Sequence, residues 1–227
     1  LKAKKKFQEY ITKGVRKIKH RKGFGVHSPF AYSIITEVIE ERVPYYAYAT
    51  MKRYYGSDAV IPLKTAMLLL RLANRFSCRN ILEIRSDGGY SALPLLLVDS
   101  RNDVCTVASP DEVEAVLHRL HTIEQRMGKL RGIECLASLA EDYRADMMLI
   151  NSRPAEMGVE EFCTWLLAHS TETTIFFVRG ISLGHPMEQV WDQLCDREDV
   201  EITMDLYDYG LAIRKPRFFK QHYVVAF

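Results

Sequence analysis

Asn80-Ile81-Leu82-Glu83-Ile84-Arg85-Ser86-Asp87-Gly88-Gly89-Tyr90-Ser91 is an apolar run of strand length that closes on a turn built around two glycines. Ala92 to Val98 then continues as an apolar helix. A short buried strand, a glycine turn and a helix form one unit of a parallel sheet covered on both faces. The same texture repeats downstream. It predicts strands over 80–84, 103–108, 133–136, 146–151, 173–179, 200–206 and 209–215, with helices near 89–99, 110–127, 156–169 and 185–196. Only Tyr207 and Asp208 separate the last two strands, too little chain for a crossover, so they should form an antiparallel hairpin. The expectation is an α/β, doubly wound, Rossmann-like sheet of seven strands.

Upstream of Asn80 the pattern is helical. Phe7, Ile11, Val15 and Ile18 recur at spacings of three and four between lysines, an amphipathic helix that stops near Gly23 to Gly25. Ser28-Pro29 reads as an N-cap and first helical residue before Phe30, Ile34, Ile35, Val38 and Ile39. Val43-Pro44 ends that helix, a tyrosine-dense stretch follows from Tyr45 to Tyr55, and Ile61-Pro62 opens another helix through Leu63 to Phe76. Residues 1–62 are therefore expected to form an N-terminal helical extension and residues 63–227 the α/β domain.

Composition narrows the function classes. With 48% apolar and 26% charged residues, 12 Gly and 8 Pro in 227 positions, disordered, collagenous and low-complexity chains are excluded. Five cysteines without a CxxC pair, mostly among apolar neighbours, suit free thiols and a reducing compartment. No run approaches the roughly 18–20 apolar residues of a spanning helix, and no secretory leader pattern is present, so a cytoplasmic location is expected. The net charge of +2 conceals a head, residues 1–22, in which ten Lys/Arg face only Glu9, so the remaining body is acidic. The head lacks interleaved aromatics and any nucleic-acid-binding motif. A solvated helix is the plain account of it, with homodimer contact or weak binding to an anionic surface as rivals.

The predicted architecture is shared by class I S-adenosylmethionine-dependent methyltransferases. The run His20 to Phe30 with its Gly23-Phe24-Gly25-Val26-His27-Ser28-Pro29-Phe30, then Pro44 to Tyr48 and Lys220 to Val225, resembles a bacterial subfamily of such proteins that carries a helical N-terminal extension. The resemblance implies a small-molecule methyltransferase that uses S-adenosylmethionine. Glu83, Ser86, Gly88, Gly89 and Ser109 would hold the cofactor, and Tyr90, Asn151 and His27 would line the reacting end, with His27 and Asn151 as catalytic candidates.

Against that family pattern the strand ends depart in one direction. Arg85 stands where a glycine would give a tight turn with positive φ, Ala108 where an acid would accept the ribose hydroxyls, Asn151 where an aspartate would stand, and Val178-Arg179 where two acids would end the fifth strand. Without those carboxylates a hard divalent cation is not expected, and no His/Cys spacing suggests zinc, so no metal is assigned. Arg85, Arg153 and Arg179 at three strand ends suit a carboxylate or phosphate instead. The rim is thus expected to have changed sign, and because added guanidinium groups oppose a sulfonium cation, methyl transfer is expected to be lost. That opens a second reading, a non-catalytic scaffold or anion-binding subunit that keeps the fold. Asp111 or Glu112 could swing back toward the ribose, and His185 is a second base candidate. Plainer readings stand beside these residues: the glycines as a simple turn, Asp111 and Glu112 as helix-start acids, the arginines as solvated, His27 as a cap and the tyrosines as packing.

Overall fold

The computed structural model describes residues 25–123 and 127–227, together with Thr12, Gly14, Val15, Arg16, His20 and Gly23. Eight strands form one sheet: β1 (Asn80–Ile84), β2 (Asp103–Val107), β3 (Lys129–Ile133), β4 (Ala145–Ile150), β5 (Ser170–Arg179), β6 (Ile202–Asp205), β7 (Tyr209–Ile213) and β8 (Gln221–Val224). Their order is β3-β2-β1-β4-β5-β7-β6-β8. β1 to β5 run parallel, β7 is antiparallel to both β5 and β6, and β8 lies parallel to β6 at the edge. The chain therefore turns back between β1 and β4, the place in a doubly wound sheet where ligands sit.

Both faces of the sheet are covered, which is why its central strands read as unbroken apolar runs rather than alternating ones. Along β4, Met147 and Leu149 join one core with Ile81, Ile175 and Phe177, while Met148 and Ile150 join the other with Leu82, Ile84, Phe176 and Val178. The first core is closed by α1 (Pro29–Ile34), α2 (Tyr48–Tyr54), α3 (Leu63–Arg75), α4 (Ala92–Leu96) and α5 (Pro110–Leu120), and the second by α6 (Val159–Ala168) and α7 (Glu188–Asp196). Ser28 caps α1 from the N-cap position with Pro29 behind it, and α1 runs on into a π-helical turn over Ile35–Ile39. Arg71, buried in α3, satisfies the carbonyls that this wide turn leaves open, donating from Nε to Val38 O at 2.6 Å and from Nη2 to Ile39 O at 3.3 Å. The extension thus shares its core with the sheet.

Two expectations need correction. The third strand is Lys129–Ile133 rather than 133–136: it lies at the sheet edge with most of its side chains in solvent, so Lys-Leu-Arg-Gly-Ile shows no apolar run. The sheet has eight strands rather than seven because the tail Gln221–Val224 pairs with β6. The amphipathic helix expected over Phe7 to Ile18 falls mostly outside the described residues; Thr12 and Gly14 to Arg16 are helical. Arg16 forms a two-pronged ion pair with Asp205 at 2.7 and 2.9 Å, bringing that segment to the end of β6.

α7 approaches β7 so closely that a Cβ on Gly210 would lie 2.3 Å from the buried ring of Trp191. Gly210→Ala should cost about 2 kcal/mol through overpacking, read as a lower urea midpoint with an unchanged m-value. An unaltered midpoint would show that the ring has room to shift.

Candidate functional site

The carboxyl edge of the sheet is organised by one side chain. Glu83, the last acid of β1, is fully buried. Ser91 Oγ donates to its Oε1, Thr106 Oγ1 on β2 donates to Oε2 at 2.6 Å, and Asn151 Nδ2 after β4 lies 3.5 Å from Oε1. Burial raises the Glu83 pKa, and the nearby Asp87 carboxylate raises it further. Asp87 accepts the Ser91 N–H with Oδ1 at 2.9 Å, while its Oδ2 is buried with no partner among the described residues.

Above Glu83 the loop takes the path that a glycine would give. Arg85 has φ of +67°, a left-handed conformation costing a residue with a Cβ about 1–2 kcal/mol. Two contacts hold it there: Asn151 Nδ2 donates to Arg85 O at 2.8 Å, and Ser86 N donates to Val107 O at 3.1 Å. An arginine therefore does supply the positive φ that its side chain disfavours. Gly88 and Gly89 also have positive φ and turn toward α5, where a Cβ on Gly89 would meet Val116 Cγ1 at 2.6 Å.

Beyond the ends of β1 to β4 lies a crevice of about 400 Å3. Ile84, Val107, Ala108 and Leu136 give it an apolar surface, and Arg85, Ser86, Ser109 and Arg153 bring polar groups. It therefore unites four residues expected at a site, two from the cofactor set and two from the arginine set. The others lie elsewhere. Glu83 is sealed beneath the loop, Gly88 and Gly89 face α5, and Asn151 clamps the loop backbone. Arg179 donates to Val60 O at 2.9 Å in the extension, and His27 sits exposed at the start of α1 beside Phe218 and Tyr223. His185 lines a different cavity with Arg16 and Asp205.

Glu134, Cys135, Ser152 and Glu156 escape the sequence reading, whereas Glu112 is weighed there as an acid able to swing back. Glu112, Glu134 and Glu156 set three carboxylates against the two guanidinium groups, so the expected excess of positive charge at this rim is absent from the crevice. Glu112 is indeed a helix-start acid, and the capping box turns it back to accept from Ser109 N at 2.9 Å and Ser109 Oγ at 3.1 Å. Those donors hold its pKa low, with a smaller contribution from Arg85. A carboxylate thus stands at the end of β2 although Ala108 occupies the strand position itself. Cys135, placed inside a strand by the sequence reading, is an exposed thiol in the crevice wall. The Ser138 hydroxyl and the Ser138 and Ala137 N–H groups lower its pKa. Ser152 Oγ, also in the wall, is buried with no partner among the described residues. Among the described residues no cluster of three His, Cys, Asp or Glu is placed to hold a metal ion.

The sheet order, the glycine-type loop after β1 and the crevice at the switch point together identify the architecture. The fold is that of the class I S-adenosylmethionine-dependent methyltransferases. An O-methyltransferase from Bacillus cereus, solved with S-adenosylhomocysteine, superposes with a TM-score of 0.56 at 17% identity, covering 81% of this chain and 97% of its own. The O-methyltransferase TomG of Streptomyces achromogenes, which acts in tomaymycin synthesis and was solved with S-adenosylmethionine, gives 0.56 at 20% identity over 76% and 91%. A methyltransferase from Geobacter sulfurreducens gives 0.58 at 14% identity over 81% and 98%. No protein-family profile and no curated protein sequence matches the chain. The methyltransferase fold here carries an additional strand, β8, beyond the seven expected.

Two outcomes follow for this edge. Arg85→Gly should raise stability by about 1 kcal/mol by removing the left-handed strain, seen as a higher urea midpoint; a lower one would show that the arginine side chain holds the loop. Because folding raises the Glu83 pKa, its stabilising effect is complete below the ordinary glutamate range and is lost as pH rises through the raised folded value. Glu83→Gln has no such proton to lose. Its stability relative to the parent should therefore improve as pH rises from about 4 to 8, and a difference that stays flat would remove Glu83 as the titrating group.

Proposed function

We propose that the crevice binds the adenosyl portion of S-adenosylmethionine and that the chain is a methyltransferase acting on a small molecule. The observation that carries this reading is the pairing of Glu112 with Ser109 at the end of β2. It returns to the crevice a carboxylate able to accept two hydroxyl hydrogens, beside the apolar surface of Ala108 and Leu136 on which a flat base can rest. The unpartnered Ser152 hydroxyl offers one more donor and acceptor. When bound, the cofactor supplies an activated methyl group on a sulfonium centre, whose transfer asks the protein mainly for positioning and a compatible field.

This chain's contribution is chiefly geometric. Asn151 and Glu83 fix the backbone of Arg85 and so set the loop height above β1. The three glutamates offset Arg85 and Arg153, so a cation in the crevice meets no uncompensated positive field. His27 lies away from the crevice lining, which favours the structural role of a residue beside the α1 cap. Arg85 and Arg153 in one crevice also support the second reading, an anion-binding subunit that retains the fold.

Calorimetric titration with S-adenosylmethionine and S-adenosylhomocysteine should show saturable binding of both, lost in Ala108→Trp, which fills the crevice, and weakened about tenfold in Glu112→Gln. Bound S-adenosylhomocysteine should also slow alkylation of Cys135, the exposed thiol. Cys78, Cys163 and Cys195, pushed up to about 12, 11 and 11 by burial, should remain slow throughout. Folded protein that gives no heat with either nucleoside, and whose Cys135 is protected by inorganic phosphate instead, would decide for the anion-binding subunit.

A further inference from the structure

On the other side of the glycine loop, between α2 of the extension and α5, lies a second cavity of about 830 Å3. Its walls are aromatic: the Tyr54 and Tyr90 rings meet edge to face at 5.5 Å, and Ile123 continues the apolar surface. Its charge is basic. Arg53 ends α2, while His118 and Arg119 end α5. Among the described residues the lining holds one carboxylate, Asp58, which accepts from the Tyr90 hydroxyl at 2.7 Å. Arg119 reaches Gly88 O with one nitrogen at 2.5 Å, and its guanidinium carbon lies 5.8 Å from the Tyr90 ring centre. Arg53 and His118 line the cavity and, among the described residues, make no hydrogen bond or ion pair.

Two guanidinium groups and an imidazole converge here on a body whose overall charge, outside the basic head, is negative. Guanidinium groups recognise carboxylate and phosphate oxygens with two parallel donors, and they stack on flat π systems. Tyrosine rings add apolar area at little cost in rotamer freedom. We propose that this cavity is a binding site, separate from the crevice, for a planar aromatic molecule that carries an anionic group. The anion lies between Arg53 and Arg119, and the ring lies against Tyr54, Tyr90 and Ile123. Neither the adenosyl reading nor methyl transfer is needed for it, since no crevice residue takes part.

Phenyl phosphate is a suitable probe, titrated into the full chain by calorimetry beside inorganic phosphate. Saturable binding is expected, with phenyl phosphate at least tenfold tighter than inorganic phosphate because of the ring contacts. Arg53→Ala and His118→Ala, both at exposed positions, should each weaken it, the arginine by about tenfold. Arg153→Ala, in the crevice, should leave it unchanged. Folded protein that gives no saturable heat overturns the proposal, as does equal affinity for the two probes. Loss of binding in Arg153→Ala with retention in Arg53→Ala would move the ligand to the crevice and overturn it as well.

Discussion

A single carboxylate without access to water governs the working edge of this sheet. Glu83 gathers a hydroxyl from β2, one from the loop that follows β1, and the amide that follows β4. An ionisable group in such a place is tolerable only when its oxygens are satisfied, so the three neighbours are constrained in turn. Asn151, held by Glu83, reaches the carbonyl of Arg85, and the loop above the crevice is fixed through that amide. A residue that resembles a ligand contact in sequence thus acts as a keystone beneath the site.

The same scaffold explains how an unfavourable residue is kept at a demanding position. The turn after β1 needs positive φ, and Arg85 adopts it because contacts from β2 and from Asn151 over-determine the backbone. Local strain of this kind persists where surrounding structure enforces it. The guanidinium that comes with the substitution does not leave a bare positive field, because Glu112, Glu134 and Glu156 share the crevice. The carboxylates of this crevice come from separate elements rather than from the strand ends.

The layers of the fold were legible because buried parallel strands announce themselves as apolar runs: β1, β2, β4 and β5 carry such runs, and Ser28-Pro29 marks a helix start through simple capping chemistry. β3 was displaced by a few residues because an edge strand with solvated side chains has no such signature, and that error hid Cys135 and Glu134 from the candidate site. β8 carries no strand signature because Gln-His-Tyr-Val lies at the sheet edge with its side chains partly in solvent and forms no apolar run. In the site itself, Ser86, Ser109, Arg85 and Arg153 were recoverable from their strand-end positions. Glu112 is legible both as a helix-start acid and as one able to swing back, and placing the helix shows that one side chain does both: it caps α5 and lines the crevice. Arg179 shows the reverse case, a strand-end residue spent on fastening Val60.

That fastening has a further effect. Tyr55 donates to the carbonyl of Tyr90 and Arg179 to that of Val60, so the extension is stitched across the glycine-loop flank of the sheet. Among the described residues, none of the extension lines the crevice over β1 to β4. The crevice lining and the stitched flank therefore share no described side chain. A molecule seated over β1 to β4, as proposed above, would touch none of the described residues of the N-terminal helices.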